Sequence, residues 1–245
     1  MNYKIGIDYG GTKIEGILIN DKGEEILRKR SGYEKNYESG VNTIKNLVEE
    51  FDKHTNSKNS VGIGIPGSSS KENGLIKNAN SIWLNGKPFK KDLEMSLDRE
   101  IKIMNDANCF ALSEAIDGSG ANYNTVWGVI IGSGFGGSFV HNKKVVEGVN
   151  QVAGDWGHQP LPYPSKEEWD LNLKCPVDNC GRPLCAEQFI SGIGFTNIFN
   201  RKYKTNFTTK EIVDLELNGD ERAKKEFDLY DCLLYTSDAA DDGLC

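Results

Sequence analysis

Asp8 ends the short apolar run Ile5 to Ile7 and is followed at once by Tyr9, a glycine pair, Thr12 and Lys13. A Gly-Gly turn brings successive backbone N–H groups towards an anion, while the threonine hydroxyl and lysine ammonium add a donor and a charge. The Asp8 carboxylate suits a divalent cation, which prefers oxygen ligands. Taken alone, these residues read equally well as a plain hairpin turn. A second cluster, Gly132-Ser133-Gly134-Phe135-Gly136-Gly137, has the glycine spacing of a dinucleotide fingerprint. The residues after it, SFVHNKKVVEG, are strand-like and offer no helix N-terminus for a pyrophosphate. The first cluster is not a Walker loop either, since Gly16 and the β-branched residues after Lys13 favour strand. Two phosphate-gripping hairpins are therefore expected.

Between the clusters lies NDANCFALSEA, 105 to 115, in which Asp106 stands where a strand gives way to a helix. Asn and Asp are also the preferred helix caps. Opposite two phosphate hairpins, however, a carboxylate at that edge is a candidate base for a substrate hydroxyl proton. Cys175, Cys180 and Cys185 have four residues between neighbours, and His158 lies upstream. That spacing suits a structural Cys₃His zinc centre. His54 and His141 read as surface residues.

Elements alternating between strand and helix must position these groups. Ile5–Ile7, Ile14–Ile19 and a segment around Ile26 and Leu27 predict a β-meander, with NDKG as its second turn. Val41, Ile44, Leu47, Val48 and Phe51 fall at helical spacing, and Val61, Ile63 and Ile65 alternate as a strand. A long polar loop is expected from Ser68 to Lys90, then a short helix around Leu93 and Leu97, a strand 101–104 and a helix from about Ala107 to Ile116. DGSGANYN marks a lobe boundary, and TVWGVIIG opens the second lobe. The domains expected are 1–117, 118–231 (with a zinc loop 158–187) and a separate tail, 232–245.

Composition narrows the function classes. With 38% hydrophobic residues the chain has enough apolar content to form a core, and a net charge of -7 offers no basic surface to nucleic acid. There is no secretory signal pattern and no membrane-length apolar run, so a cytoplasmic protein whose six cysteines remain thiols is expected.

DYGGTK, GIPGS, NDAN, GSGFGG, GDWGH and CGRPLCAE occur in an order that resembles the ROK family of sugar kinases, from about Tyr3 to Gly194. Within it, KNANSIWLNGKPFKKDL and NDANCFALSEAIDG look most like the bacterial fructokinase or manno(fructo)kinase branch. The resemblance implies an α/β, actin-like (RNase H-like) two-lobed fold that phosphorylates a hexose with ATP and Mg²⁺, often as a homodimer. Fructose to fructose 6-phosphate is the favoured reaction. The alternatives are a kinase for glucose, mannose or an N-acetyl sugar, or a sugar-sensing repressor, which an acidic chain with so few residues before its first strand disfavours.

By the same resemblance Asp8 lies near magnesium, and Gly10, Gly11, Thr12 and Lys13 cradle phosphates together with Gly132, Ser133, Gly134 and Gly136. Asp106 is the base and, with Asn80, Asn105, Asp155, His158 and Glu187, contacts sugar. Asp155 stands where the family has glutamate. His158, Cys175, Cys180 and Cys185 are the implied zinc ligands. Asp178 occupies the usual place of the first cysteine, so Cys175 reaches in from an enlarged loop, or Asp178 or water completes the shell. The resemblance stops before the fold is complete: the helical pattern breaks near Asp231, and 232–245 resembles a translated sequencing adapter. A truncated second lobe with a non-native tail is expected.

Overall fold

The computed structural model describes residues 2–151, 153–162, 164–174 and 180–238. The chain divides into two compact units, Met1–Asn122 with Glu147–Val152, and Tyr123–Val146 with Ala153–Cys245.

The first unit opens with the expected meander, β1 (Tyr3–Tyr9), β2 (Lys13–Asn20) and β3 (Glu25–Gly32). Helix α1 (Tyr37–Thr55) comes next, capped by Asn36, whose side chain accepts the Ser39 N–H. Then come β4 (Ser60–Ile65), the two-residue strands β5 (Ser68–Ser69) and β6 (Ile76–Lys77), a 3₁₀ turn at Ile82–Leu84, α2 (Phe89–Leu97), β7 (Ile101–Asn105) and α3 (Asp106–Ile116). The five-stranded sheet has the order β3-β2-β1-β4-β7, with β1, β4 and β7 parallel. Ile44, Leu47, Val48 and Phe51 of α1 bury their apolar stripe with Ile5, Ile7, Ile14 and Leu18 of the sheet. The fit is close enough that a Cβ on Gly16 would meet the Phe51 ring at 2.8 Å. The segment expected as one polar loop, 68–90, instead holds the β5–β6 hairpin, the 3₁₀ turn and the start of α2. Leu84 and Phe89, both fully buried, pin it to the core.

The second unit contains β8 (Thr125–Ile131), β9 (Phe135–His141) and β10 (Lys144–Val145), paired antiparallel in the order β10-β9-β8. Among the described residues it also holds helices α4 (Lys166–Leu171), α5 (Glu187–Ile190), α6 (Gly192–Tyr203), α7 (Thr209–Leu217) and α8 (Glu221–Asp238). A capping box of Thr208 and Glu211 starts α7. One apolar cluster gathers Phe135, Trp156, Phe189 and Ile190, and another Phe195, Phe199, Ile212 and Ala223. Helix α8 does not break near Asp231. It continues through Asp238, and the partly buried Tyr230, Leu233 and Leu234 pack on the first of these clusters. Cys232 is disulfide-bonded, which departs from the expectation that all six cysteines remain thiols. No helix among the described residues is long and apolar enough to cross a membrane.

Candidate functional site

In the first unit the candidate residues leave the carboxyl ends of neighbouring parallel strands, where open α/β sheets place their ligands. Asp8 pairs in register with Gly64 of β4, and Ile65 with Asn105 of β7. Asp106 begins α3 directly after β7. The helix cap is Asn105: its Oδ1 accepts the Asn108 N–H at 3.2 Å and its Nδ2 donates to the Gly67 carbonyl at 3.0 Å. That amide expected to face sugar is thus committed at both ends to the fold. The Asp106 carboxylate accepts the Ala107 N–H at 2.9 Å on an exposed edge.

Gly67, with φ +85°, lies so close to Lys77 and Ala79 that a Cβ would meet their backbone at 2.5–2.8 Å. Asn80 is exposed on the next residue. Asn85 holds that loop from within, accepting the Ala79 N–H at 2.9 Å and donating to the Ala79 carbonyl at 3.0 Å. Asn80, Asn105 and Asp106 are thereby linked through Gly67 and Ala79. The buried hydroxyls of Ser68 and Ser81, which the sequence motifs did not single out, have no hydrogen-bond partner in the same region.

The Gly10-to-Lys13 turn is closed by the Gly10 N–H donating to the Lys13 carbonyl at 3.0 Å, so that amide is used internally. Gly11, Thr12 and Lys13 are exposed. Although Asp8 keeps an exposed edge, partial desolvation, with the Glu15 charge beside it, raises its pKa above the usual aspartate value, and Arg30 opposes the rise. The Cys109 thiol is pushed up to about 11 by burial, with the charges of Asp106 and Asp8 adding to it.

In the second unit Gly132, Ser133, Gly134 and Gly136 form or flank the β8–β9 turn, as expected. Glu187 enters that turn: its Oε2 accepts the Phe135 N–H at 3.1 Å, and a Cβ on Gly134 would lie 2.9 Å from the same oxygen. Asp155 Oδ1 lies 3.4 Å from where a Gly136 Cβ would stand. Gly157 has no room for any side chain, since its Cβ would overlap the Phe135 carbonyl. The Glu187 N–H donates to the Gly157 carbonyl at 2.8 Å. Asp155, His158 and Glu187 are therefore brought to one hairpin. Although Asp155 keeps an exposed edge, desolvation raises its pKa; His158 opposes the rise and Glu187 adds to it. Trp156 belongs to the core, packed on Trp127 and Phe135 at ring distances of 4.4 and 4.6 Å.

His158, Cys180 and Cys185 present ligand atoms all within 4.8 Å of one another. A tetrahedral zinc with ordinary bond lengths sets two sulfurs about 3.8 Å apart and a sulfur and a nitrogen about 3.5 Å apart. The Cys180–Cys185 sulfurs are 3.7 Å apart, and Cys185 Sγ lies 3.5 Å from His158 Nδ1. These donors fit such an ion. The other two zinc candidates, Cys175 and Asp178, lie outside the described residues.

The sequence model of the ROK family matches residues 4–236, well past the Gly194 limit and the Asp231 break expected from the motifs. The N-acetyl-D-glucosamine kinase of Haemophilus influenzae is 39% identical over 221 residues, covering 89% of this chain and 72% of that protein. Two solved structures share the fold. A ROK hexokinase from Thermus thermophilus has a TM-score of 0.78 at 23% identity, over 91% of this chain and 72% of the other. A protein described as a putative N-acetylmannosamine kinase, from Listeria monocytogenes, has 0.76 at 20%, over 96% and 77%. Relatives from Citrobacter koseri and Escherichia fergusonii, 37% and 38% identical, are likewise N-acetyl-D-glucosamine kinases, so the fructokinase branch expected from the motifs is not supported. With its family motifs on the ends of paired strands and its sequence matched along almost its full length, the chain belongs to the ROK family of sugar kinases.

Proposed function

We propose that this chain transfers the γ-phosphoryl group of ATP to a hydroxyl of an N-acetylhexosamine, with N-acetyl-D-glucosamine as the first sugar to test. The observation that carries the reaction class is Asp106, an exposed carboxylate at the carboxyl edge of three parallel strands, one residue beyond the capping Asn105. The sugar class rests on the curated relatives.

Asp106 orients the sugar hydroxyl and takes its proton as that oxygen bonds to phosphorus and ADP leaves. Asp8 is suited to hold Mg²⁺, which neutralises phosphate charge when bound. In the first unit Thr12 and Lys13 are suited to phosphate at their turn; in the second unit, taken by itself, the turn of Gly132, Ser133, Gly134 and Gly136 is suited to the same chemistry. In the first unit Asn80 is offered to sugar, with Asn105 holding the loop behind it; in the second unit, taken by itself, Asp155, His158 and Glu187 offer polar groups to sugar hydroxyls. His158, Cys180 and Cys185 would hold a structural zinc, which would supply a fixed anchor for the chain leading into Glu187 and, with His158 bound through Nδ1, would leave its Nε2 to sugar. A homodimer is part of the same reading and is checked by sedimentation.

The test is ADP release with N-acetylglucosamine, N-acetylmannosamine, glucose, mannose and fructose supplied in parallel. Turnover is expected with an acetamido sugar, at a kcat/KM about tenfold or more above that for fructose, which is roughly what one well-placed contact supplies. A preference for fructose overturns the substrate, and no ADP with any sugar overturns the reaction.

A further inference from the structure

We propose that Trp83 and Tyr33 are positioning residues that tie the 79–85 loop to the Gly10 turn, so that the segment offered to sugar and the segment offered to phosphates move as one body. This rests on the kinase reading for its consequence in catalysis, but the tie itself is a matter of geometry within the first unit.

Trp83 lies three residues beyond Asn80, inside the loop that Asn85 closes on Ala79. Its indole Nε1 donates to the Tyr9 hydroxyl at 3.0 Å. Tyr9 is the last residue of β1, directly before Gly10, and is 1% exposed. The Tyr33 hydroxyl donates to the Gly10 carbonyl at 2.9 Å, gripping the turn from its other side. The three rings are also in contact: Tyr9 and Tyr33 have centroids 5.3 Å apart and Tyr33 and Trp83 6.2 Å, both edge-on. Space has been kept for this arrangement, since a Cβ on Gly40 of α1 would overlap the Tyr9 hydroxyl. Edge-on aromatic contacts and buried hydrogen bonds resist displacement in a defined direction, which a merely apolar filling of the same volume does not. A shift of the loop therefore drags the turn, and ordering of the turn by phosphate orders the loop in advance of sugar.

Nearby chemistry supplies a control. Tyr37 belongs to the same aromatic cluster, 6.1 Å from the Phe89 ring, and its hydroxyl donates to Asp92 at 2.6 Å, away from both segments. In Trp83→Phe, amide hydrogen exchange is expected to quicken at residues 10–13 as well as 79–85, and in Tyr33→Phe at both segments again. Tyr37→Phe leaves both unchanged while lowering stability comparably. In kinetics, Trp83→Phe and Tyr33→Phe each raise the KM for sugar and for ATP by about two- to tenfold, the range of one lost hydrogen bond, with Tyr37→Phe unaffected. Exchange changes confined to 79–85 in Trp83→Phe and to 10–13 in Tyr33→Phe overturn the tie. If the wild-type protein phosphorylates no sugar, the kinase reading falls, and the exchange pattern still decides whether the two segments are coupled.

Discussion

Asp8, Asn105 and Asp106 stand at the ends of paired strands whose register is fixed by a continuous ladder, whereas Asp155, His158 and Glu187 come from a loop and the first residue of a short helix. The strand ladder sets the backbone of the first group, and the Asn105 amide adds its bonds to Asn108 and Gly67. The second is held by contacts between loops: the Glu187 N–H on the Gly157 carbonyl and its carboxylate on the Phe135 N–H, the Ala186 N–H on the Gln159 carbonyl, Gly157 against Phe135, and sulfurs beside His158. A site built on loops needs a cross-link where a site built on strands does not. The two should therefore fail differently.

Asp106→Asn is expected to cut turnover by about 10²–10⁴ with folding and nucleotide affinity kept, the usual contribution of a positioned acid–base group. Steady-state kinetics beside a thermal melt checks this, and near-normal turnover would reduce Asp106 to a helix residue. Cys180→Ser, or prolonged chelation of the wild type, comes next in size. Loss of zinc by elemental analysis should accompany a rise of about 10–100-fold in sugar KM, by analogy with disturbed metal shells. The sharpening control is that residues 105–108 keep their exchange protection throughout; if they lose it equally, the contrast between the two constructions is wrong.

Asn105→Ala removes a cap and the brace on Gly67 together. A loss of about 1 kcal/mol is expected, read as a fall of about 2–4 °C in Tm, with weakened sugar binding because the loop before Asn80 is released. The smallest effect is a gain. The folded pKa of Asp8 is raised by burial, so its ionised form is disfavoured in the fold above that pKa, and the penalty disappears below the unfolded value of 3.8. Asp8→Asn should accordingly raise Tm slightly at neutral pH, the exposed edge of the side chain keeping the gain small, with the gain fading as pH falls towards the ordinary aspartate range. A gain that is independent of pH would point to a cause other than charge.

Elements with a clear period were legible in the residues. The meander, α1, β4, β7 and the β8–β9 hairpin show alternation or helical spacing, and Thr208 with Glu211 announces α7. The contents of 68–90 were not, because two-residue strands and a three-residue 3₁₀ turn are shorter than any period. Adjacent Asn105 and Asp106 are both cap-forming types, and only the geometry separates the cap from the exposed carboxylate. The run of α8 past Asp231 was hidden because its polar and charged residues give little contrast between faces, although Leu233 and Leu234 pack inward. The hydrogen bond from Phe135 to Glu187 spans 52 residues and leaves no trace in local pattern.

The segment Glu147–Val152 belongs to the first unit although the chain on either side of it belongs to the second. Lys71 pairs with Glu147 at 3.0 Å, and Lys77 donates to the Asn150 carbonyl at 3.1 Å. The chain accordingly passes between the units three times, and a gene fragment ending at Asn122 would encode the first without the partners of those two lysines. On the ribosome, where domains generally fold in order of emergence, the first unit cannot be finished until the β8–β10 segment has also been synthesised. Its last pieces arrive after the second unit has already begun.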